Sequence, residues 1–231
     1  MDYRGRHVVV TGGTGGLGTA VVGALLERGA HCHVPTIDEG EVARFRHRAN
    51  ERVRLAEVAT LADEGEVARF YAGVPRLWAS IHIAGGFAMQ PLAETGKKAL
   101  MAQLEMNLVS CFLCCAAAVR AMKGEGGRIV NVAARPALEP RLGAGMTAYT
   151  VSKAGVAALT GALGQEVAAE GILVNAVAPS ILDTAANRAA MPTAEHALWP
   201  KVEEVAATIL FLASPHNRVT RGAVVPVYGA A

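Results

Sequence analysis

Short apolar runs alternate along the chain with longer stretches of helical periodicity. Residues 7–11, 31–34, 52–55, 79–84, 128–132, 173–178 and 223–227 read as strands. Residues 17–28, 64–72, 97–122, 149–169 and 202–213 read as helices. On the fourth of these helices, Val156, Leu159, Leu163 and Val167 fall on one face. Strands that alternate with helices imply right-handed crossovers and a parallel sheet covered on both faces. No repeat, low-complexity segment or linker divides the chain. The expectation is one α/β domain over residues 1–231, a Rossmann-type doubly wound parallel sheet of about seven strands.

Composition narrows the possible partners. The 231 residues are 52% apolar and 18% charged, which excludes disorder. Twenty-two Lys and Arg against 20 Asp and Glu leave a net charge of +2, with no dense basic run, so nucleic acid is not an expected partner. The uncharged stretch 106–119 is shorter than the ~20 residues of a membrane span and reads as a buried helix. The N-terminus lacks a long apolar region followed by a small-residue cleavage site, so the expected location is cytoplasmic and no membrane partner is expected. Cys111-x-x-Cys114 invites a redox or metal reading, but the sequence places no second cysteine pair or neighbouring histidine beside it. Cys32, Cys111, Cys114 and Cys115 therefore read as buried reduced thiols, and no metal is expected.

The first strand runs into Thr11-Gly12-Gly13-Thr14-Gly15-Gly16-Leu17-Gly18, and a helix follows at once. Glycines allow a tight turn and close backbone approach to a pyrophosphate, whose charge then rests on the helix N-terminus. Strand, glycines and helix in that order point to a dinucleotide.

The Thr-Gly-x-x-x-Gly-x-Gly spacing resembles the short-chain dehydrogenase/reductase family. So do Tyr149-x-x-x-Lys153, Asn107 within the long helix, Ala178-Pro179-Ser180-Ile181 followed by Thr184, and Val225-Pro226-Val227-Tyr228-Gly229. The resemblance covers the whole chain and rests on the order of these motifs. It implies an oxidoreductase with NAD or NADP as cofactor and a small-molecule substrate. Gly12, Thr14, Gly16, Leu17 and Gly18 would cradle the phosphates, followed by Ala84, Gly85 and Gly86 after the fourth strand. Pro179, Ile181 and Thr184 would grip the nicotinamide end with Tyr149 and Lys153, and the catalytic residues would be Tyr149, Lys153 and Asn107. At the adenosine end, counting without gaps puts Thr36 at the close of the second strand, with Asp38 two residues on. An acidic group there accepts ribose hydroxyls and repels a 2′-phosphate. The glycine turn holds no Arg or Lys, so the reading leans to NAD through Asp38.

Residues four apart share a helix face, so Lys153 can approach the Tyr149 hydroxyl. An ammonium at about 4 Å is worth on the order of 4 kcal/mol at an effective dielectric near 20. That attraction would lower the phenol by up to about three pKa units, toward working pH.

The chain departs from the family pattern after the fifth strand. A serine that helps hold a substrate carbonyl is expected there, and Ala133-Ala134 stand instead. Three readings follow: a cofactor-binding protein with a regulatory role and no turnover, an enzyme in which Ser110 or Thr147 replaces the hydroxyl, or chemistry that does not need it. The third has a precedent in the dihydropteridine reductase branch, which also has alanine there. Ala84-Gly85-Gly86-Phe87, Gly145-Met146-Thr147-Ala148-Tyr149 and Leu182-Asp183-Thr184-Ala185-Ala186-Asn187-Arg188-Ala189-Ala190-Met191-Pro192, followed by Trp199, are similar to that branch. Its aromatic after the glycines is tryptophan where this chain has Phe87. The resemblance implies a substrate pocket of Phe87, Ala134, Asn187 and Met191 under a lid around residues 181–200. Met191 and Trp199 fit plain packing of that lid equally well. A pteridine-like conjugated acceptor is the narrower expectation, and a ketone or alcohol is the alternative within the same family. The apolar helices at 97–122 and from Tyr149 onward resemble the pair through which this family forms homodimers or homotetramers.

Overall fold

A computed structural model describes residues 1–230. Seven strands form a single parallel sheet in the order β3-β2-β1-β4-β5-β6-β7. They are β1 His7–Thr11, β2 His31–Thr36, β3 Val53–Glu57, β4 Leu77–His82, β5 Gly127–Val132, β6 Ile172–Pro179 and β7 Val224–Val227. The helices are α1 Gly16–Glu27, α2 Glu39–Arg44, α3 Glu64–Ala72, α4 Lys97–Leu104, α5 Ser110–Met122, α6 Arg135–Leu138, α7 Thr147–Glu166, α8 Ala185–Ala190 and α9 Val202–Ala213. This is the doubly wound, Rossmann-type sheet that the alternation of runs implies.

Burial on both faces explains why the central strand β1 is apolar without alternation. Val8, Val9 and Val10 are all solvent-free, with Val8 and Val10 packed on one side and Val9 on the other. Val21, Leu25, Ile209 and Leu210 of α1 and α9 cover the first face, and Val67, Tyr71, Cys111, Cys115 and Val156 of α3, α5 and α7 cover the second. The strand order reverses between β1 and β4, which opens a crevice at the carboxyl ends of those strands.

The structure refines several boundaries. Strand β2 continues through Pro35 to Thr36, beyond the expected end at residue 34. Its pairing with β1 stops at His33, so the missing N–H of Pro35 costs no ladder bond on that side, while pairing with β3 continues to Thr36↔Glu57. Three short helices, α2, α6 and α8, escape the periodicity because four to six residues carry too few turns to show it. The long run Lys97–Met122 is apolar enough by composition to cross a membrane. In this structure Cys111, Cys114, Cys115, Ala118 and Met122 pack into the core. That run is not one regular helix, because a single π turn, Glu105–Val109, separates α4 from α5.

Candidate active site

The crevice begins at the glycine turn. Gly12 has φ +65°, and a Cβ there would sit 2.7 Å from the Ala84 backbone nitrogen, so β1 and the end of β4 approach as only glycine permits. A Cβ on Gly18 would collide with the Gly12 carbonyl, which closes the turn onto α1. Helix α1 has no acidic residue in its first turn and no side-chain cap, leaving its first N–H groups for an anion. A side chain at Gly16 would lie 3.2 Å from Thr184 Cγ2, so the segment after β6 reaches over the glycine turn. A dinucleotide pyrophosphate would fit this cradle, where Gly12, Thr14, Gly16, Leu17, Gly18 and Thr184 are the residues that could hold it.

At the adenosine side the structure adds a residue that motif reading missed. Thr14 Oγ1 donates a 2.7 Å hydrogen bond to Glu41 Oε2, which sets a carboxylate directly against the glycine turn. Asp38 is exposed, and its side chain caps α2 by accepting from Glu41 N–H at 3.1 Å. Thr36 is buried and its hydroxyl donates to the Ala56 carbonyl at 3.3 Å. Glu41 lies inside a short helix that the sequence did not disclose, so no strand-end rule leads to it.

The other end of the crevice gathers Asn107, Tyr149 and Lys153. The π turn carries Asn107 inward, where it is 1% exposed. Its Oδ1 accepts from Gly86 N–H at 2.9 Å, and its Nδ2 donates to the Gly86 carbonyl at 3.0 Å and Ser152 Oγ at 3.1 Å. Ser152 Oγ donates in turn to the Tyr149 carbonyl at 2.7 Å. One amide thus ties the end of β4 to the first turn of α7. A Cβ on Gly85 would lie 2.5 Å from Asn107 Oδ1 and 3.4 Å from Lys153 Nζ, so a glycine is required between them.

Electrostatics here correct the expectation from spacing. Lys153 is buried and its Nζ donates to the Val132 carbonyl at 2.9 Å. Burial brings its ammonium down to about 8 and pushes the Tyr149 phenol up to about 12. The lowering of Tyr149 by Lys153 that the four-residue spacing suggests does not prevail, because desolvation governs the phenol. The Val132 carbonyl takes one of the three N–H donors of the charged Nζ.

Around Tyr149 the structure distributes the remaining candidates. Phe87 is 61% exposed and meets the Tyr149 ring edge-on, with centroids 5.0 Å apart. Ala134 is buried at the N-cap of α6 and presents no hydroxyl. Ser110 does not replace it: its hydroxyl donates to the Met106 carbonyl at 2.7 Å, one turn back on its own helix. Thr147 starts α7 and is exposed. Asn187 is turned into its own segment, with Nδ2 donating to the Leu182 carbonyl at 2.8 Å. Met191 is half-buried beside His196, which bonds its carbonyl at 2.8 Å, and Trp199 packs in the core against the His196 ring. Pro179 is buried at the end of β6 and Ile181 is exposed two residues on. Two apolar residues at the mouth were not singled out from sequence. Met89 reaches to 3.2 Å of a Cβ placed on Gly145, and Met106 Sδ occupies the space a side chain on Gly86 would need. Both are loop or helix-surface methionines with no motif of their own.

The expectation that no histidine stands near the α5 cysteines is also corrected. His82, at the end of β4, lies against Cys111 and Cys115, while Cys114 faces Tyr71. The partners are i,i+4 on a helix plus a residue from another element, a triplet that linear spacing hides.

Comparison with known proteins agrees with this arrangement. A family model described as short chain dehydrogenase matches residues 6–195. The cis-4-hydroxycyclohexanecarboxylate dehydrogenase of Sinomonas cyclohexanicum is 35% identical, over 97% of this chain and 95% of that protein. A 3-oxoacyl-[acyl-carrier-protein] reductase from Chlamydia muridarum is 28% identical, over 97% and 96%. The structure of a short-chain type dehydrogenase/reductase from Mycobacterium ulcerans superposes with a TM-score of 0.89 at 26% identity, covering 100% of this chain and 90% of that one. With a family model spanning most of its length and a glycine cradle built for a dinucleotide, the chain belongs to the short-chain dehydrogenase family and is an NAD(P)-dependent oxidoreductase.

Proposed function

We propose that the chain reduces a planar, conjugated ring acceptor of the dihydropterin class, with Tyr149 Oη supplying the proton. The observation that carries this reading is the buried Ala134, with Ser110 spent on its own helix. Reducing an isolated carbonyl concentrates charge on one oxygen, and a donor aimed at it contributes about 3–4 kcal/mol. A conjugated ring spreads that charge and takes its proton on nitrogen, so the missing hydroxyl costs little. Phe87, Met89 and Met106 supply apolar surface beside Tyr149 for such a ring.

Bound NAD(P)H supplies the hydride. Tyr149 Oη holds the proton to be transferred, and its high affinity for that proton keeps it loaded at neutral pH. Lys153 offers its two remaining N–H donors to ribose hydroxyls and its charge to the phenol as that proton leaves. Asn107 acts as a positioning residue, fixing the Gly86 backbone and, through Ser152, the turn that carries Tyr149. Pro179, Ile181 and Thr184 line the nicotinamide end, and residues 181–200, with Asn187 and Met191, form the lid.

NAD is the proposed preference. Glu41, fixed on Thr14, and Asp38, at the start of α2, set two carboxylates beside the glycine turn, which carries no cation of its own, and this supports a preference against a 2′-phosphate although Arg44 of α2 lies near Asp38. Four buried free cysteines suit a reducing cytoplasm. The name of the Sinomonas relative favours a second reading, a ring alcohol or cyclic ketone as substrate. Replacing Tyr149→Phe tests the assignment of Tyr149. Turnover of any acceptor should fall about 10³-fold, while NADH affinity measured by fluorescence stays within about twofold; undiminished turnover overturns it.

A further inference from the structure

On the buried face of α5, Cys111 and Cys115 stand one turn apart, and β4 presents His82 to both. Their two sulfurs and a ring nitrogen of His82 all lie within 4.8 Å of one another. A fourth group joins from β5. Asn131 Oδ1 is 3.4 Å from Cys115 Sγ and 2.8 Å from His82 Nδ1, and Cys115 Sγ is 3.5 Å from the same nitrogen. Bond lengths of about 2.3 Å to sulfur and 2.0–2.1 Å to nitrogen or oxygen give a tetrahedral zinc site ligand–ligand edges of about 3.3–3.8 Å. The Cys115–Asn131 and Cys115–His82 edges already have that length, the edges to Cys111 Sγ from Cys115 and His82 lie within 4.8 Å, and the His82–Asn131 edge has to open by roughly half an ångström.

His82 and Asn131 are each aimed inward by a partner outside the cluster. His82 Nε2 is 2.8 Å from Ser80 Oγ and 3.2 Å from the Tyr71 hydroxyl. Asn131 Nδ2 donates to Thr160 Oγ1 at 2.9 Å, which leaves Oδ1 facing His82 and Cys115. Such outer contacts orient metal ligands and fix the imidazole tautomer. The charge also closes: a divalent ion with two thiolates, a neutral imidazole and an amide oxygen is neutral, which a core of 0–5% exposure accepts where a lone charge would be costly. Thiolates and imidazole select a soft or borderline ion over Mg²⁺ or Ca²⁺.

We propose that His82, Cys111, Cys115 and Asn131 form a buried site for a thiophilic divalent cation, Zn²⁺, one helical turn beyond Asn107. Coordination uses the Nδ1 lone pair, so the imidazole proton moves from Nδ1 to Nε2, where Ser80 Oγ accepts it. The protons still held by the two thiols leave to solvent as the S–Zn bonds form. Metal and the present hydrogen bonds are alternative fillings of one space, and the metal clamps β4, β5 and α5 behind Lys153 and Asn107.

The test is titration of the chelator-stripped full chain with Co²⁺ and then Zn²⁺ alone, followed by absorption and by thermal unfolding. One equivalent of Co²⁺ should bring thiolate-to-cobalt charge transfer and tetrahedral d–d bands that Zn²⁺ displaces, and Zn²⁺ should raise the melting temperature. Cys115→Ser and His82→Asn should each lower Zn²⁺ affinity at least about tenfold, and Cys114→Ser should leave it unchanged. The side chain introduced by His82→Asn is smaller than the imidazole and keeps a polar group able to bond Ser80 or Asn131, so this variant decides the matter if Cys115→Ser does not fold. Absence of saturable binding overturns the site, as does parental affinity in His82→Asn.

Discussion

Phe87 and Tyr149 meet edge-on, with 5.0 Å between ring centroids and 84° between planes, although Phe87 follows β4 and Tyr149 lies in the first turn of α7. The contact places an exposed aromatic face beside the hydroxyl assigned to proton transfer. Edge-to-face pairs contribute about 0.5–1.5 kcal/mol beyond their area. Phe87→Ala should therefore raise KM for a ring acceptor about 3- to 10-fold, with KM for NADH unchanged. An effect on NADH alone would remove Phe87 from the substrate wall.

The buried Lys153 gives the pH dependence a sign. Its ammonium is brought down to about 8 by burial, so it is charged below that pH and neutral above it. Tyr149, at about 12, remains protonated throughout. The kcat/KM for reduction, which follows the groups of the free enzyme, should hold between about pH 6 and 7.5 and decline as pH rises through about 8, as the charge next to the ribose is lost. A profile that climbs across pH 8 would contradict the role given to Lys153.

The 2.7 Å bond from Thr14 to Glu41 predicts where cofactor preference resides. Glu41→Gln should narrow the NADH/NADPH ratio of kcat/KM at least about fivefold. Asp38→Ala should instead loosen α2 by about 1 kcal/mol through loss of its cap, with a smaller change in the ratio. Equal ratios in parent and Glu41→Gln would return the discrimination to Asp38.

A homodimer or homotetramer is the expected assembly. Phe112 on α5, Val151 on α7 and Met101 on α4 are 54%, 49% and 38% exposed, an apolar strip on neighbouring helices. Light scattering at micromolar concentration should give at least twice the 23.9 kDa chain mass, and Phe112→Glu should shift it toward the monomer. A monomeric parent would leave the strip without this role.

The alternation of strands and helices, the parallel doubly wound class and the glycine turn were legible because each depends on local periodicity or on φ-permissive residues at fixed offsets, whereas the strand order emerged only in the structure. The candidate catalytic residues Asn107, Tyr149 and Lys153 stood out as motifs, but their electrostatics did not. Spacing alone brings Lys153 toward Tyr149, while the Val132 carbonyl and the burial of both groups are set by the tertiary fold. Glu41 was hidden in a six-residue helix, and Met89 and Met106 had no pattern to mark them. His82 joined Cys111 and Cys115 only because parallel crossovers bring β4 under α5.

Whether Ala134 stands where it does because the acceptor is a conjugated ring is decided by NADH oxidation with quinonoid dihydropterin set against cyclic ketones. A kcat/KM at least about 100-fold higher for the pterin is the predicted result, matching the worth of one missing oxyanion donor. Faster turnover of the ketones would contradict it and assign the site to a ring alcohol or its ketone.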